Sequence, residues 1–235
     1  MYKEAEAELD IVHTGGDVVP NGAWAGSPIC QEFLKRHPEI EGVGDLTRYF
    51  YQRLAKLFSD KGLQLGGWEE IALKKDGSID PNFLQDSFLC YVWNNLWGPQ
   101  GPAHDLGNIL ANTGYPVVLC NVTNLYYDLA YDKHPQEPGL YWGGFVGTWD
   151  AYAMMPYDVF SSILEDNMGA KFERSGYFAQ QEVLKSSSRP NVKGIQAQLW
   201  SETIEGPAML QHYILPILLG FAEVACNRDL EDDVG

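Results

Sequence analysis

A short glycine-rich stretch near the start of the sequence presents a carboxylate that could take part in catalysis. Residues 9–13 are predicted to form a short buried strand that leads into Gly15, Gly16 and Asp17, the pattern of a strand ending in a tight turn. The next residue is Val18, so the second acid of an active site built on two carboxylates is missing from this stretch. A Gly-Gly-Asp turn is also common in proteins without a site, so the stretch alone does not decide the chemistry.

The ends of the other predicted strands combine tryptophans with carboxylates. Aromatic rings stack on the apolar faces of sugar rings, and carboxylates accept hydrogen bonds from hydroxyl groups, so the combination suits a neutral pyranose. A single tryptophan after a strand is more often a core residue, and two adjacent glutamates also suit the start of a helix. The repetition along the chain favours a binding site. The strand ends are Trp68-Glu69-Glu70, Trp93-Asn94-Asn95, Asn121 followed by Tyr126-Tyr127-Asp128, and Trp200-Ser201-Glu202.

Strands and helices alternate along the chain, which predicts a parallel β/α architecture of the α/β class. In such a barrel the site lies at the carboxyl ends of the strands. Residues 1–235 are predicted to form one domain. The predicted strands cover 9–13, 63–68, 87–93, 116–121 and 194–200, and the predicted helices cover 45–61, 104–113 and 207–226. Asp45 is expected to cap the first helix and Gly62 to end it, and Pro216 is expected to kink the last.

Composition excludes several classes of partner. The chain has 32 acidic and 16 basic residues and a formal net charge of −16, which argues against nucleic acid and is neutral toward sugars. None of the 4 cysteines forms a C-x-x-C pair, so no zinc site is expected and all are predicted to be small core residues. Residues 1–10 do not read as a signal peptide, and the apolar run 206–222 is expected to be a buried helix rather than a membrane span.

The motifs resemble those of the family-20 glycoside hydrolases, the β-N-acetylhexosaminidases, and within them the bacterial chitobiases. The resemblance implies a (β/α)8 TIM-barrel type of fold, of which this chain is the C-terminal portion, about strands 4–8 with their helices. No cofactor and no metal are implied. The resemblance rests on the stretch 13–24 (HTGGDVVPNGAW), on Gly67-Trp68-Glu69-Glu70, Val92-Trp93-Asn94, Tyr126-x-Asp128 and Tyr141-Trp142, and on Leu199-Trp200-Ser201-Glu202.

The resemblance also implies a retaining, substrate-assisted reaction that releases terminal N-acetylglucosamine or N-acetylgalactosamine from chitobiose or glycans. The 2-acetamido oxygen of the sugar attacks the anomeric carbon, while the residue matching Asp17 orients the acetamide and the one matching Tyr126 hydrogen-bonds to its oxygen. The remaining roles are an acetamide pocket and sugar platform from Trp68, Trp93 and Trp200, hydroxyl binding by Asp128 and Glu202, and contact with a second sugar by Trp142.

Two departures from the family pattern bear on activity. Val18 stands where the family has the general acid, and its absence should lower the rate of hydrolysis by about 10²–10⁴-fold. The nearest acids, Glu69 and Glu202, already match other positions of the family motif. The pattern also begins at about the fourth strand, which leaves open strand edges and predicts a weak monomeric fold. Three hypotheses stay open: an impaired hexosaminidase, a non-catalytic N-acetylhexosamine-binding module, and an assembly subunit covered by a second chain or by self-association. The family suggests a periplasmic, secreted or lysosomal location.

Overall fold

The computed structural model describes residues 8–20, 22–74, 76–83, 88–96, 103–163, 165–166, 168–171, 176 and 178–226. The chain divides into two compact units, Met1–Tyr91 and Val92–Gly235. The prediction of a single domain over residues 1–235 stays a prediction. Of the predicted strand 87–93, Ser87 lies outside the described residues.

The first unit is built from parallel strands and the helices that connect them. Strand β2 pairs with β1 on one side and with β3 on the other, in parallel and in register, with Val12 opposite Leu65 and Gly67 opposite Cys90. The elements are β1 (Ile11–His13), α1 (Pro28–Arg36), α2 (Leu46–Ser59), β2 (Gln64–Trp68) and β3 (Leu89–Val92), with short 3₁₀ turns at Val43–Asp45, Glu69–Ala72 and Pro81–Phe83.

The boundaries of α2 follow the sequence signals only in part. Gly62 has φ +70° just after the helix, and the Leu63 N–H bonds back to the Phe58 carbonyl at 2.9 Å, which confirms the predicted stop. Asp45 occupies the N-cap position, but its side chain makes no capping hydrogen bond. The reason is that Asp45 has φ −96° and ψ 0° at the end of a 3₁₀ turn, whereas a capping residue is normally extended.

Strand β1 is more exposed than the sequence predicted. The apolar run 9–13 was expected to be a buried strand, yet Ile11 is 39% exposed and His13 is also exposed. Among the described strands β1 pairs with β2 alone, so no described strand pairs with its other edge. The prediction of burial is therefore wrong for this strand.

The second unit contains the remaining strands and most of the short helices. Val92, the last residue of β3, accepts a hydrogen bond from the Cys120 N–H at 2.8 Å, and β4 pairs in parallel with β5 after a register shift between Val117 and Val118. The strand order is β1-β2-β3-β4-β5. The elements are α3 (Leu106–Thr113), β4 (Val117–Leu119), α4 (Val122–Leu125), α5 (Thr148–Tyr152), α6 (Val159–Ser162), a 3₁₀ segment (Ser186–Asn191), β5 (Val192–Ile195), α7 (Pro207–Ile214) and α8 (Ile217–Cys226).

The last strand is shorter and earlier than predicted. The sequence favoured a strand over 194–200, but β5 ends at Ile195. Beyond it the Gln196 N–H bonds to the Leu119 carbonyl at 2.9 Å, and Gln198 forms an isolated parallel bridge with Tyr126. The neighbouring strand explains the difference, because helix α4 follows β4 and ends that strand before the chain reaches Tyr126. The prediction of a regular strand through Trp200 is therefore wrong.

The predicted C-terminal helix is broken as expected but is only partly buried. Helices α7 and α8 are separate and bent by 45° on either side of Leu215 and Pro216, which confirms the break at the proline. Tyr213 and Ile217 are fully buried, whereas Leu219 is 67% exposed, so a wholly buried helix is wrong. No single helix in the described part of the chain is long and apolar enough to cross a membrane, although this bent pair meets that test by length and composition.

The cysteines do not all lie in the core as predicted. Cys90 and Cys120 are buried in or beside strands. Cys226 is exposed and Cys30 is half-buried, because both lie on helices whose apolar faces are only partly covered in the described residues. The prediction of core cysteines is therefore wrong for these two residues.

Candidate functional site

The Gly15-Gly16 turn presents Asp17 at the carboxyl end of β1. The Thr14 N–H bonds to the Gly66 carbonyl at 2.9 Å and the Trp68 N–H to the Gly15 carbonyl at 3.0 Å, so the strand pairing continues into the turn. Gly16 has φ +109°, and a Cβ atom there would lie 2.5 Å from Ile71 Cδ1. Only glycine fits such a position, and the turn leaves Asp17 exposed to solvent.

His13 lies beside this turn in an aromatic setting. Its ring meets Trp68 edge to face at 4.8 Å and Tyr91 at 4.6 Å between ring centroids. Partial desolvation of the imidazole lowers the pKa of His13, and the negative charge of Asp17 opposes the shift. The imidazole next to Asp17 is therefore favoured in its neutral form at neutral pH.

Val18 offers no group that could transfer a proton. Its side chain is 71% exposed, and its backbone has φ +31°. A β-branched residue in the left-handed region is uncommon and strained. Of the two acids that the sequence offers as neighbours of Trp68, Glu69 is buried and opens the 3₁₀ turn that follows β2.

In the second unit, four aromatic side chains form a cluster, here called the aromatic cluster: Trp93, Tyr126, Trp142 and Trp200. Tyr126 is its buried centre, with ring centroids 6.3 Å from Trp93, 5.8 Å from Trp142 and 6.3 Å from Trp200. Trp93 and Trp142 also meet edge to face at 6.2 Å. Trp142 and Trp200 are 38% and 40% exposed, so two large rings offer apolar surface next to a buried tyrosine.

Asp128 places a buried carboxylate against this cluster. Its Oδ1 accepts a hydrogen bond from the Trp200 N–H at 3.3 Å, while its buried Oδ2 has no hydrogen-bond partner among the described residues. Burial raises the pKa of Asp128, and the charge of Glu202 raises it further. A buried oxygen without a partner is costly, and a carboxylate oxygen is able to accept a hydrogen bond from a hydroxyl group.

The structure thus places the predicted site residues in two groups. Asp17, Val18 and Trp68 lie in the first unit, and the second unit brings together Trp93, Tyr126, Asp128, Trp142, Trp200 and Glu202. Sequence reasoning gave no role to His13, Tyr91 or Gln198. For His13 and Tyr91 a signal existed, since each precedes a predicted site residue within its strand end. Within the described residues, no group of three or more His, Cys, Asp and Glu side chains could hold a metal ion.

The parallel strands and connecting helices define a protein of the α/β class, with tryptophans, a tyrosine and carboxylates at or just after its strand ends. Residues 4–228 match the catalytic domain of glycosyl hydrolase family 20, and the chain belongs to that family. The fold class and the family inferred from the sequence motifs are thereby confirmed.

Individual relatives agree with this assignment. The chain is 31% identical over 229 residues to a β-hexosaminidase of Vibrio vulnificus, a match that covers 95% of this chain and 25% of that protein. It is 25% identical over 274 residues to the N,N'-diacetylchitobiase of Vibrio harveyi, covering 99% of this chain and 28% of that protein. The structure of the family-20 exo-β-N-acetylglucosaminidase of Vibrio harveyi with N-acetylglucosamine superposes with a TM-score of 0.63 at 25% identity, over 98% of this chain and 30% of that one. The chain therefore spans about a quarter to a third of the length of these relatives.

Proposed function

We propose that this chain binds a terminal N-acetylhexosamine of chitobiose or of a glycan, as part of a family-20 β-N-acetylhexosaminidase site with an impaired acid. The observation that carries the proposal is the unpartnered Oδ2 of Asp128 beside the exposed faces of Trp142 and Trp200. A pyranose offers an apolar ring face for the tryptophans and hydroxyl groups for the carboxylate. The Vibrio harveyi structure with N-acetylglucosamine supports this class of ligand.

Each of the other residues has a proposed part in binding. Trp200 and Trp93 form the platform around Tyr126, and Trp142 extends the apolar surface toward a second sugar. Glu202 is a second hydroxyl acceptor, and its charge already acts on Asp128. Trp68 contributes an indole wall to the acetamide pocket.

The proposed chemistry uses the substrate's own acetamide. In the reaction that the family resemblance implies, the residue matching Asp17 orients the acetamide and stabilises the positive charge that forms on its nitrogen. The residue matching Tyr126 bonds to the acetamide oxygen as this oxygen attacks the anomeric carbon. The leaving oxygen must then gain a proton, and Val18 cannot supply one. Turnover of natural glycosides should accordingly fall by about 10²–10⁴-fold relative to a site with a carboxylic acid there.

The same substitution favours a second candidate function, a non-catalytic N-acetylhexosamine-binding module. Binding needs the tryptophans and Asp128 but not an acid at position 18. The exposed edge of β1, with Ile11 partly open to solvent, also favours self-association or a second chain that covers it. Binding without turnover would separate the binding module from the impaired enzyme.

Calorimetry with N-acetylglucosamine tests the binding proposal directly. We expect saturable binding by the chain and its loss in Trp200→Ala, whereas Trp149→Ala, which removes a more exposed tryptophan outside the cluster, should bind normally. No binding by the unmodified chain would overturn the proposed function.

Turnover is tested in a chimaera in which the preceding β/α units of the Vibrio harveyi enzyme are joined to this chain. Val18→Glu should raise chitobiose hydrolysis far more than hydrolysis of a nitrophenyl glycoside, because nitrophenolate departs without protonation. Val19→Glu, which adds the same charge one residue later on an exposed side chain, should raise neither. Equal effects of the two substitutions would contradict the assignment of position 18.

A further inference from the structure

Gln198 carries a buried carboxamide that the fold itself does not use. The residue is only 6% exposed, and neither its Nε2 nor its Oε1 has a hydrogen-bond partner among the described residues. Its backbone, in contrast, is fully engaged, since its N–H bonds to the Leu125 carbonyl and its carbonyl accepts the Tyr127 N–H, both at 2.8 Å. A buried amide without partners costs folding free energy, so folding stability does not account for a glutamine at this position.

The pairing of Gln198 places this amide on the side of the aromatic cluster. Gln198 is bridged in parallel to Tyr126, and paired residues of neighbouring strands direct their side chains to the same face. Tyr126 is the centre of the aromatic cluster, and Trp200 follows Gln198 by two residues in the alternating pattern.

The neighbouring Asp128 has a buried acceptor oxygen, Oδ2, without a hydrogen-bond partner among the described residues. The Trp200 N–H that bonds to Asp128 Oδ1 lies two residues from Gln198, so the two side chains are held by one hydrogen-bonded segment. A carboxylate can only accept hydrogen bonds, and a hydroxyl bound to it through its hydrogen still has lone pairs that need a donor. The Gln198 amide is such a donor, and its Oε1 remains able to accept from a second hydroxyl.

We propose that Gln198 is a further sugar-binding residue, and that its Nε2 and Asp128 Oδ2 together hold one hydroxyl of the bound N-acetylhexosamine. The hydroxyl donates to Asp128 Oδ2 and accepts from Gln198 Nε2–H, which pairs both groups at once. This inference rests on the proposed function, since it names the hydrogen bonds by which the same site binds its ligand. It makes Gln198 a residue whose polarity is maintained for binding at the expense of folding stability.

The substitution Gln198→Met separates the two roles because it keeps the length of the side chain and removes its polar atoms. We expect thermal unfolding at a temperature about 2–4 °C higher, since an unpaired buried amide is replaced by an apolar group. We also expect N-acetylglucosamine binding about 3- to 10-fold weaker by calorimetry. Gln198→Asn, which retains the amide but shortens its reach, should also bind more weakly. Gln196→Met makes the same chemical change at an exposed position two residues earlier and should alter neither property.

Singly deoxygenated analogues of N-acetylglucosamine identify the shared hydroxyl. The analogue that lacks the hydroxyl held by the amide should bind Gln198→Met almost as tightly as it binds the unmodified chain. The other analogues should bind Gln198→Met about 3- to 10-fold more weakly than they bind the unmodified chain. Unchanged affinity in Gln198→Met beside normal binding by the unmodified chain would overturn the inference alone. A lowered melting temperature would also overturn it, since the amide would then be paired within the fold. Absence of binding by the unmodified chain would overturn the proposed function as well.

Discussion

Replacing Gly16 by alanine tests whether the turn that presents Asp17 is specified by close packing. Gly16 has φ +109°, and the added Cβ would lie 2.5 Å from Ile71 Cδ1, 2.6 Å from Ile71 Cγ1 and 3.1 Å from the Tyr51 hydroxyl. Carbon atoms normally pack at about 3.5–4.0 Å, so about 1 Å of overlap must be relieved. Ile71 and Tyr51 are both buried and have little room to move.

Two terms add in this variant. A non-glycine residue in the left-handed region costs about 1–2 kcal/mol. Forcing a methyl group into a packed region costs about 1–3 kcal/mol. Gly16→Ala should therefore lower the free energy of unfolding by about 2–5 kcal/mol.

The neighbouring glycine provides a matched control. Gly15 has φ +72°, and its added Cβ would meet only Asp17 Oδ1 at 3.9 Å, so Gly15→Ala should carry the conformational cost of about 1–2 kcal/mol alone. The difference between the two variants measures the steric term.

Urea denaturation of both variants, and of each combined with Ile71→Ala, completes the test. Truncating Ile71 removes the atoms that the new Cβ would strike, so the double variant with Gly16→Ala should be more stable than the sum of the single effects. The combination with Gly15→Ala should be additive. Equal destabilisation by Gly15→Ala and Gly16→Ala, or additivity in both combinations, would refute the close-packing argument.

Further predictions concern the second unit. Burial and Glu202 raise the pKa of Asp128 above its unfolded value of 3.8, so the folded state holds more protons in that window and stability should fall as pH rises through it. Asp128→Asn should remove this slope in urea melts at stepped pH and bind N-acetylglucosamine about 10-fold or more weakly, since it loses a charged acceptor; an unchanged slope would count against it. Trp142→Ala should weaken chitobiose binding more than N-acetylglucosamine binding in calorimetry, whereas Tyr141→Ala, at the more exposed neighbouring ring, should affect both little; equal losses for the two ligands would exclude a second-sugar contact.

The sequence predicted structure best where an element is determined by residues close together in the chain. Strand β4 follows from its β-branched run, and the stop of α2 follows from Gly62, because both signals act within a few residues. Helix α1 was missed although Ser27 caps it and Pro28 opens it. None of its residues is buried, although its apolar residues repeat at a helical period about as strongly as those of α2, so the signal was present in the sequence and was overlooked.

Other features depend on contacts far apart in the sequence. The end of β5 depends on α4, some seventy residues earlier, which interrupts the strand that β5 would have followed. The Trp200 N–H bonds to Asp128 Oδ1, and Asp128 Oδ2 has no hydrogen-bond partner among the described residues. The sequence could not predict which of the two oxygens would be bonded. The residue types at the strand ends could be read from the sequence, whereas the partner of each atom could not.

The turn that presents Asp17 is held by contacts that do not involve the side chain at position 18. The turn is held by the Trp68 N–H to the Gly15 carbonyl and by the space that Gly16 leaves for Ile71. Neither interaction involves the side chain at position 18, which points into solvent. Valine is also a poor choice for φ +31°, so the backbone conformation does not select it. A substitution at position 18 should therefore leave the turn in place, so the comparison of Val18→Glu with Val19→Glu tests proton transfer separately from folding.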